Sequence, residues 1–254
     1  MARLAIENVS VDFGGIRALR GVSFDIPSGS IVGLIGPNGA GKTTLLNCIS
    51  GITRPTQGRV RLHDAVLSSM PAAAVASCGI GRVFQHPELV ADISVRDNLL
   101  TACHRSLGYG LLAELLRLPN VAAAERAAAG RVADMLDRLG ISDIGDNLVR
   151  KLPYGHRKLV DLARALLMNI DFLLLDEPIA GLNDAETARL RNLLQRLRAE
   201  FGLGILVVEH NMPFVSHLCD RLVVLDLGQL IANGPPAEVL NDPRVMSSYL
   251  GEAA

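Results

Sequence analysis

The sequence predicts an α/β fold with a mostly parallel sheet, an antiparallel β subdomain and an inserted α-helical subdomain. Three observations carry that prediction. The apolar run Ile31-Val-Gly-Leu-Ile35 leads into Gly36-Pro-Asn-Gly-Ala-Gly-Lys-Thr-Thr44 and then Leu45-Leu-Asn-Cys-Ile49, which reads as strand, glycine loop, helix. The runs Phe172-Leu-Leu-Leu-Asp-Glu177 and Ile205-Leu-Val-Val-Glu209 are apolar until they end in acids, as in parallel strands buried on both faces. Residues 86–159 change to helical character. Buried strands alternating with helices around a glycine loop imply an α/β core with its ligand outside the strands' C-terminal ends.

Gly36, Pro37, Asn38, Gly39, Ala40, Gly41, Lys42, Thr43 and Thr44 match the P-loop pattern G-x-x-x-x-G-K-[ST] in the strand–helix context it needs. The core is thus that of a P-loop NTPase. The glycines let successive N–H groups curl around a phosphate chain without Cβ collisions. The helix start adds unpaired N–H groups and a positive dipole end. Lys42 offers a point charge to the outer phosphates of a nucleoside triphosphate, and Thr43 a hydroxyl to Mg2+.

A chain of 254 residues can bury a full core. Its formal net charge of −1 gives no basic field for nucleic acid, and with no Trp it offers no obvious platform for base stacking. The longest apolar runs are strand-sized, short of the ~20 residues of a membrane-spanning helix. The N-terminal Met-Ala-Arg-Leu-Ala-Ile-Glu carries charges where a signal peptide would be apolar. Cys48, Cys78, Cys103 and Cys219 are scattered, without a C-x-x-C pair, and read as core residues of a reducing compartment. A cytosolic chain is expected.

Along the chain, residues 4–13 and Val22-Ser-Phe-Asp-Ile26 alternate apolar and polar residues, and Val60-Arg-Leu62 repeats the pattern, so a small antiparallel sheet is expected beside the P-loop strand. Residues 79–84 form a further short strand ending at Gln85. Ser94-Val-Arg-Asp97 fits a capping box at a helix start. Leu111, Leu112, Leu115 and Leu116 form an apolar stripe that Pro119 ends, and Val132, Met135, Leu136 and Leu139 form another, closed by Gly140. Leu152-Pro-Tyr-Gly-His156 reads as a loop feeding a helix from Arg157. Asn183-Asp-Ala-Glu186 is a second capping box, with Leu190, Leu193, Leu194 and Leu197 facing inward. Asn211 caps the next helix, with Pro213 in its first turn. Leu222-Val-Val-Leu225 and Leu230-Ile231 pair as a hairpin, and the tail holds two short helical segments. The whole, 1–254, reads as one domain: a nucleotide core of about 1–85 and 160–254, and a helical subdomain of about 86–159.

Gln85, Asp176, Glu177 and His210 all fall at predicted strand ends. Taken alone, His210 reads as a structural histidine, and Phe13 as core filling or as an exposed ring for adenine. Burying two carboxylates at a core strand's end is costly unless they meet a cation or do chemistry. With the P-loop, the four polar tips make a catalytic constellation.

These residues resemble the ATP-binding subunit of ABC transporters over essentially the whole chain. Gly36-Pro-Asn-Gly-Ala-Gly-Lys-Thr-Thr44 looks like the Walker A motif, Gln85 the Q-loop, Leu152-Pro-Tyr-Gly-His156 the signature, and Phe172-Leu-Leu-Leu-Asp-Glu177 Walker B with its following glutamate. Ala180-Gly-Leu-Asn183 looks like the D-loop and His210 the H-loop. The resemblance implies that Phe13 stacks on adenine, that Lys42 and the loop amides hold ATP, and that Thr43, Gln85 and Asp176 serve Mg2+. It makes Glu177 the base for the attacking water and His210 a γ-phosphate contact. It also implies a head-to-tail dimer, homo- or heterodimeric, in which Tyr154, Gly155 and His156 meet the other subunit's nucleotide. Pro153, Tyr154 and His156 depart from the usual Leu-Ser-Gly-Gly-Gln, and Asn183 replaces the usual D-loop aspartate.

Phe13-Gly-Gly-Ile-Arg-Ala-Leu19, Ser94-Val-Arg-Asp-Asn-Leu-Leu100, Glu209-His-Asn-Met212 and Gly234-Pro-Pro-Ala-Glu-Val-Leu240 resemble the ATPases of branched-chain amino acid importers. That branch implies integral membrane permease subunits as partners and a periplasmic solute-binding protein acting indirectly; residues 86–94, next to Gln85 where the subdomains join, are the candidate docking surface. It places the chain peripherally on the cytoplasmic face of the inner membrane. The solute rests on analogy, so urea, amides or lipopolysaccharide export stay open as cargo. A soluble ABC-type ATPase, or a silent nucleotide-binding module, is the alternative in kind.

Overall fold

Alternating side chains pair the first strands edge to edge, and continuously apolar ones fill the centre of a second sheet. The computed structural model describes residues 3–104 and 119–250. Up to Gln85 the elements are β1 (Arg3–Phe13), β2 (Ile16–Pro27), β3 (Ile31–Ile35), α1 (Lys42–Ile49), β4 (Gln57–Leu62), β5 (Ala65–Val66), α2 (Ala72–Ser77) and β6 (Ile80–Val83). Next come α3 (Val95–Cys103), α4 (Pro119–Leu139) and α5 (Tyr154–Leu166). From Ile170 onward lie β7 (Phe172–Asp176), α6 (Asp184–Phe201), β8 (Gly204–Val208), α7 (Met212–Leu218), β9 (Arg221–Asp226), β10 (Gln229–Gly234), α8 (Pro236–Val239) and α9 (Pro243–Leu250). Two compact units result: the chain up to Gln85 together with the chain from Ile170, and His86–Asn169.

In the first unit the described strands make two sheets. One is antiparallel, in the order β2-β1-β4-β5. The other runs β10-β9-β3-β8-β7-β6, parallel from β9 to β6, with β10 as its antiparallel edge. The expected mostly parallel sheet with an antiparallel partner is what forms. Every residue of β3 and β8 is buried, which is why neither shows polar alternation. Leu4, Ile26, Leu45, Leu46 and Leu174, each 0% exposed, belong to one core cluster. Each such side chain contributes roughly 1.5–3 kcal/mol through burial. Burial pushes the thiols of Cys48 and Cys219 up to about 12, so both are inert core groups.

In the second unit α3, α4 and α5 pack on one another. Val132, Met135, Leu136 and Leu139 are buried along α4, and Gly140, at φ 65, ends it as expected. The Leu111–Leu116 stripe lies outside the described residues. Ser94 accepts the Asp97 N–H at 3.0 Å, while the Asp97 carboxylate takes the Ser94 hydroxyl instead of returning to the N-cap backbone. Only half of the expected capping box therefore forms. Asn183 and Glu186 complete theirs, and Asn211 accepts the Phe214 N–H at 2.9 Å. Asn98, 2% exposed, bonds the Val90 N–H, the Val90 carbonyl and the Ser94 carbonyl, pinning the stretch before α3.

One expectation is corrected. Tyr154, Gly155 and His156 are not loop; they are the first turn of α5, which starts three residues before Arg157. Pro153, at φ −55, is the N-cap, and its carbonyl accepts the Arg157 N–H at 3.2 Å. A helix start needs no apolar periodicity, so polar Tyr-Gly-His gives no sign of its helical state.

Candidate nucleotide site

The buried strand β3 delivers the chain into Gly36, whose φ of 147 no side chain adopts readily. A Cβ there would stand 2.1 Å from the Leu225 carbonyl oxygen, so glycine is required for β9 to pass. The turn closes with the Ala40 N–H on the Pro37 carbonyl (3.2 Å), and Gly228 donates to the Ala40 carbonyl at 3.1 Å. Asn38 and Gly39 are exposed at the tip. Lys42 Nζ reaches back over the loop to the carbonyls of Gly36 (2.7 Å) and Pro37 (2.8 Å). Its ammonium is thereby held beside a loop whose N–H groups and helix dipole favour anions. Thr43 is exposed in the first turn of α1, and Thr44 is half-buried beside it.

The ends of β6, β7 and β8 line up beside β3 in one parallel sheet, so their terminal residues share its C-terminal edge. Asp176 ends β7, and Glu177 follows at φ 48, a positive value unusual for a side-chain-bearing residue. Its N–H is held by the Val208 carbonyl at the end of β8 (2.9 Å). Its carboxylate accepts Gln85 Nε2 at 2.6 Å, and of the Gln85 amide only the oxygen is a group of the kind that binds a cation. His210 stands exposed just past β8. Phe13 is 51% exposed at the end of β1, paired in register with Ile16, itself 73% exposed.

The structure thus gathers residues 36–44, Gln85, Asp176, Glu177 and His210 on one sheet edge of the first unit. Tyr154, Gly155 and His156 belong to the second unit, where they present the N-terminus of α5. Lys158 Nζ lies 5.3 Å from the centre of the Tyr154 ring, a cation–π distance that orders this turn.

Two residues escape the sequence reading. Arg82 on β6 places Nη2 3.0 Å from Asp176 Oδ2, while Nη1 donates to Asn47 Oδ1 (2.7 Å) and Ser50 Oγ (3.0 Å) on and just after α1. The signal available was a cation in an otherwise apolar strand. Glu209, 1% exposed, accepts the N–H of Ile179 on Oε1 (3.0 Å) and that of His210 on Oε2 (3.2 Å). Burial raises its carboxyl above the usual range, opposed by those two N–H donors. The candidate donors for Mg2+, the Thr43 hydroxyl, the Gln85 amide oxygen and the Asp176 carboxylate, are hard oxygens. Such a set fits magnesium held mainly by nucleotide phosphates.

The model of the ABC transporter family matches residues 19–180. The chain therefore belongs to the ATP-binding family of ABC transporters, whose members bind and hydrolyse ATP and work with membrane permeases. A model described as the branched-chain amino acid ATP-binding cassette transporter matches residues 229–254. The high-affinity branched-chain amino acid transport ATP-binding protein LivG of Salmonella typhimurium is 40% identical over 250 residues, 98% of each chain. The lipopolysaccharide export system ATP-binding protein LptB of Escherichia coli is 34% identical over 252 residues, covering 99% of this chain and 98% of LptB. The ADP conformation of MJ1267, an ATP-binding cassette of an ABC transporter, superposes with a TM-score of 0.85 at 33% identity, covering 99% of each chain. Among the described residues no helix is long and apolar enough to cross a membrane.

Proposed function

We propose that this chain hydrolyses Mg·ATP to drive import of branched-chain amino acids, as one of two ATP-binding subunits docked on membrane permeases. The reading of the site rests on one observation above all: Glu177, at φ 48, is held by Gln85 and by the Val208 carbonyl at the strand edge that carries the P-loop. Lys42 and the loop amides hold the phosphates. Thr43, Gln85 and Asp176 would hold Mg2+, which neutralises phosphate charge when bound. Glu177 accepts the proton of the attacking water, and His210 stabilises charge on the γ-phosphate. Phe13 covers the adenine.

ATP favours a closed head-to-tail dimer in which the first turn of α5 faces the other subunit's nucleotide, and hydrolysis reopens it. Gln85 stands at the chain boundary between the two units and can relay that change to residues 86–94, the proposed permease contact on the cytoplasmic face. A periplasmic solute-binding protein would deliver the solute. Similarity to LivG over the full length, and the match of residues 229–254, support branched-chain amino acids as cargo.

Two experiments test this. Glu177→Gln removes the proton acceptor but keeps the shape, so turnover should fall by about 10²-fold or more while ATP binding survives. Near-normal turnover would refute the assignment of the base. In proteoliposomes with the neighbouring permeases, ATPase activity should rise with a leucine-loaded solute-binding protein. Stimulation by lipopolysaccharide instead would favour the LptB-like reading.

A further inference from the structure

We infer that Glu209 is a positioning residue that holds the Glu177 loop and His210 in one fixed relation for ATP hydrolysis. The inference rests on the reading of Glu177 as the base. Two adjacent residues at the tip of β8 grip the loop that follows β7. The Val208 carbonyl accepts the Glu177 N–H at 2.9 Å, and Glu209 Oε1 accepts the Ile179 N–H at 3.0 Å. Glu177 is itself the first anchored residue and Ile179, two residues on, the second, so the base is held from both sides in a backbone conformation that persists only where its surroundings over-determine it. The second oxygen of the same carboxylate accepts the His210 N–H at 3.2 Å and lies 3.9 Å from His210 Nδ1.

One buried carboxylate therefore serves two segments with different tasks: the turn after Glu177 that leads into the D-loop, and the histidine proposed for the γ-phosphate. Both bonds are to backbone N–H groups, so the carboxylate needs both oxygens as acceptors, which an amide lacks. Burying a carboxylate at 1% exposure is costly, and simple core filling would be served by leucine. The hydrogen bonds of the carboxylate go to the Ile179 and His210 N–H groups and not to the P-loop that holds the nucleotide. Its effect thus falls on turnover rather than on ATP affinity.

The test is Glu209→Gln in the full-length chain, with kcat, KM for ATP, ATP affinity and melting temperature measured together. The amide keeps the volume and one acceptor but turns N–H groups toward the other donor. We expect kcat to fall about 10- to 100-fold, the cost of misplacing a catalytic group by a fraction of an ångström to an ångström. KM and ATP affinity should stay within about twofold, because the P-loop is untouched. Unchanged kcat in the folded variant would overturn the inference. A parallel loss of kcat, affinity and melting temperature would overturn it too, by showing a structural role only. Where the variant fails to fold, amide exchange in the unmodified chain decides: a protected Ile179 N–H supports the bond to Glu209, and rapid exchange refutes it. Glu177→Gln is assayed alongside. If it stays active, the reading of the base fails; if it is inactive while Glu209→Gln is fully active, only the role of Glu209 fails.

Discussion

Arg82 and Asp176 sit on neighbouring strands with guanidinium and carboxylate 3.0 Å apart, 8% and 13% exposed. The same guanidinium bonds Asn47 and Ser50 and covers the Phe84 ring at 4.5 Å. One side chain thus ties the helix after the P-loop to the acid end of β7. Arg82 Nε is buried with no hydrogen-bond partner, so the arrangement favours position over full satisfaction of its donors.

Arg82→Met should therefore destabilise the chain by about 3–5 kcal/mol, because it strands a buried carboxylate and two polar acceptors. Arg82→Lys should recover part of that, since one ammonium cannot span both sides as a planar guanidinium does. Urea denaturation of the three proteins checks it. Equal stability of Arg82→Met and the parent would show that the pair contributes nothing.

The P-loop glycines should separate by surroundings. Gly36→Ala drives a Cβ to 2.1 Å from the Leu225 carbonyl, so β3 or β9 must shift, and both stability and ATP affinity should fall sharply. Gly39→Ala, at φ 75, has nothing within 4 Å of its Cβ and should cost only the left-handed strain, about 1–2 kcal/mol. Calorimetric melting and ATP titration of both variants measure the difference. The opposite order would mean that Gly36 is not held against β9.

How far the sequence is legible follows from where each partner lies. The strand–loop–helix of residues 31–49 is contiguous, so its pattern is complete in one stretch of chain. Asn183 and Glu186 form a capping box because both groups lie within one turn. Arg82 takes its meaning from partners 35, 32 and 94 residues away, and its one local signal, a cation in an otherwise apolar strand, names none of them. Glu209 likewise waits on Ile179, 30 residues distant. The start of α5 is obscured for another reason: its first turn is polar, so hydrophobic periodicity begins only after the helix has.

Phe13→Ala should weaken ATP by roughly 1 kcal/mol, the size of an aromatic contact. At 51% exposure the ring adds little to the fold, so the melting temperature should barely move. Titration with ATP and with inorganic triphosphate separates the base contact from the phosphate contacts. Equal losses for both ligands would rule out stacking on adenine.

The start of α5 makes the sharpest separation between stability and assembly. Pro153 caps it without a side-chain hydrogen bond, and Tyr154, Gly155 and His156 then supply the first-turn N–H groups. Pro153→Ser adds a hydroxyl that can accept one of them, stabilising the unit by about 1 kcal/mol and leaving dimer closure intact or stronger. Gly155→Asp places a carboxylate in the positive first turn, which by itself favours the helix by about 0.3–1 kcal/mol. The same carboxylate repels a nucleotide phosphate brought to that turn by a second subunit. The expected result is a chain that melts no lower than its parent yet no longer dimerises with ATP. Both variants belong in the Glu177→Gln background, so that bound ATP is not consumed, with size-exclusion chromatography in ATP and in ADP as the readout. Closure that survives Gly155→Asp would show that this helix start does not face a nucleotide, and the chain would then act in a heterodimer with one active site assembled by its partner.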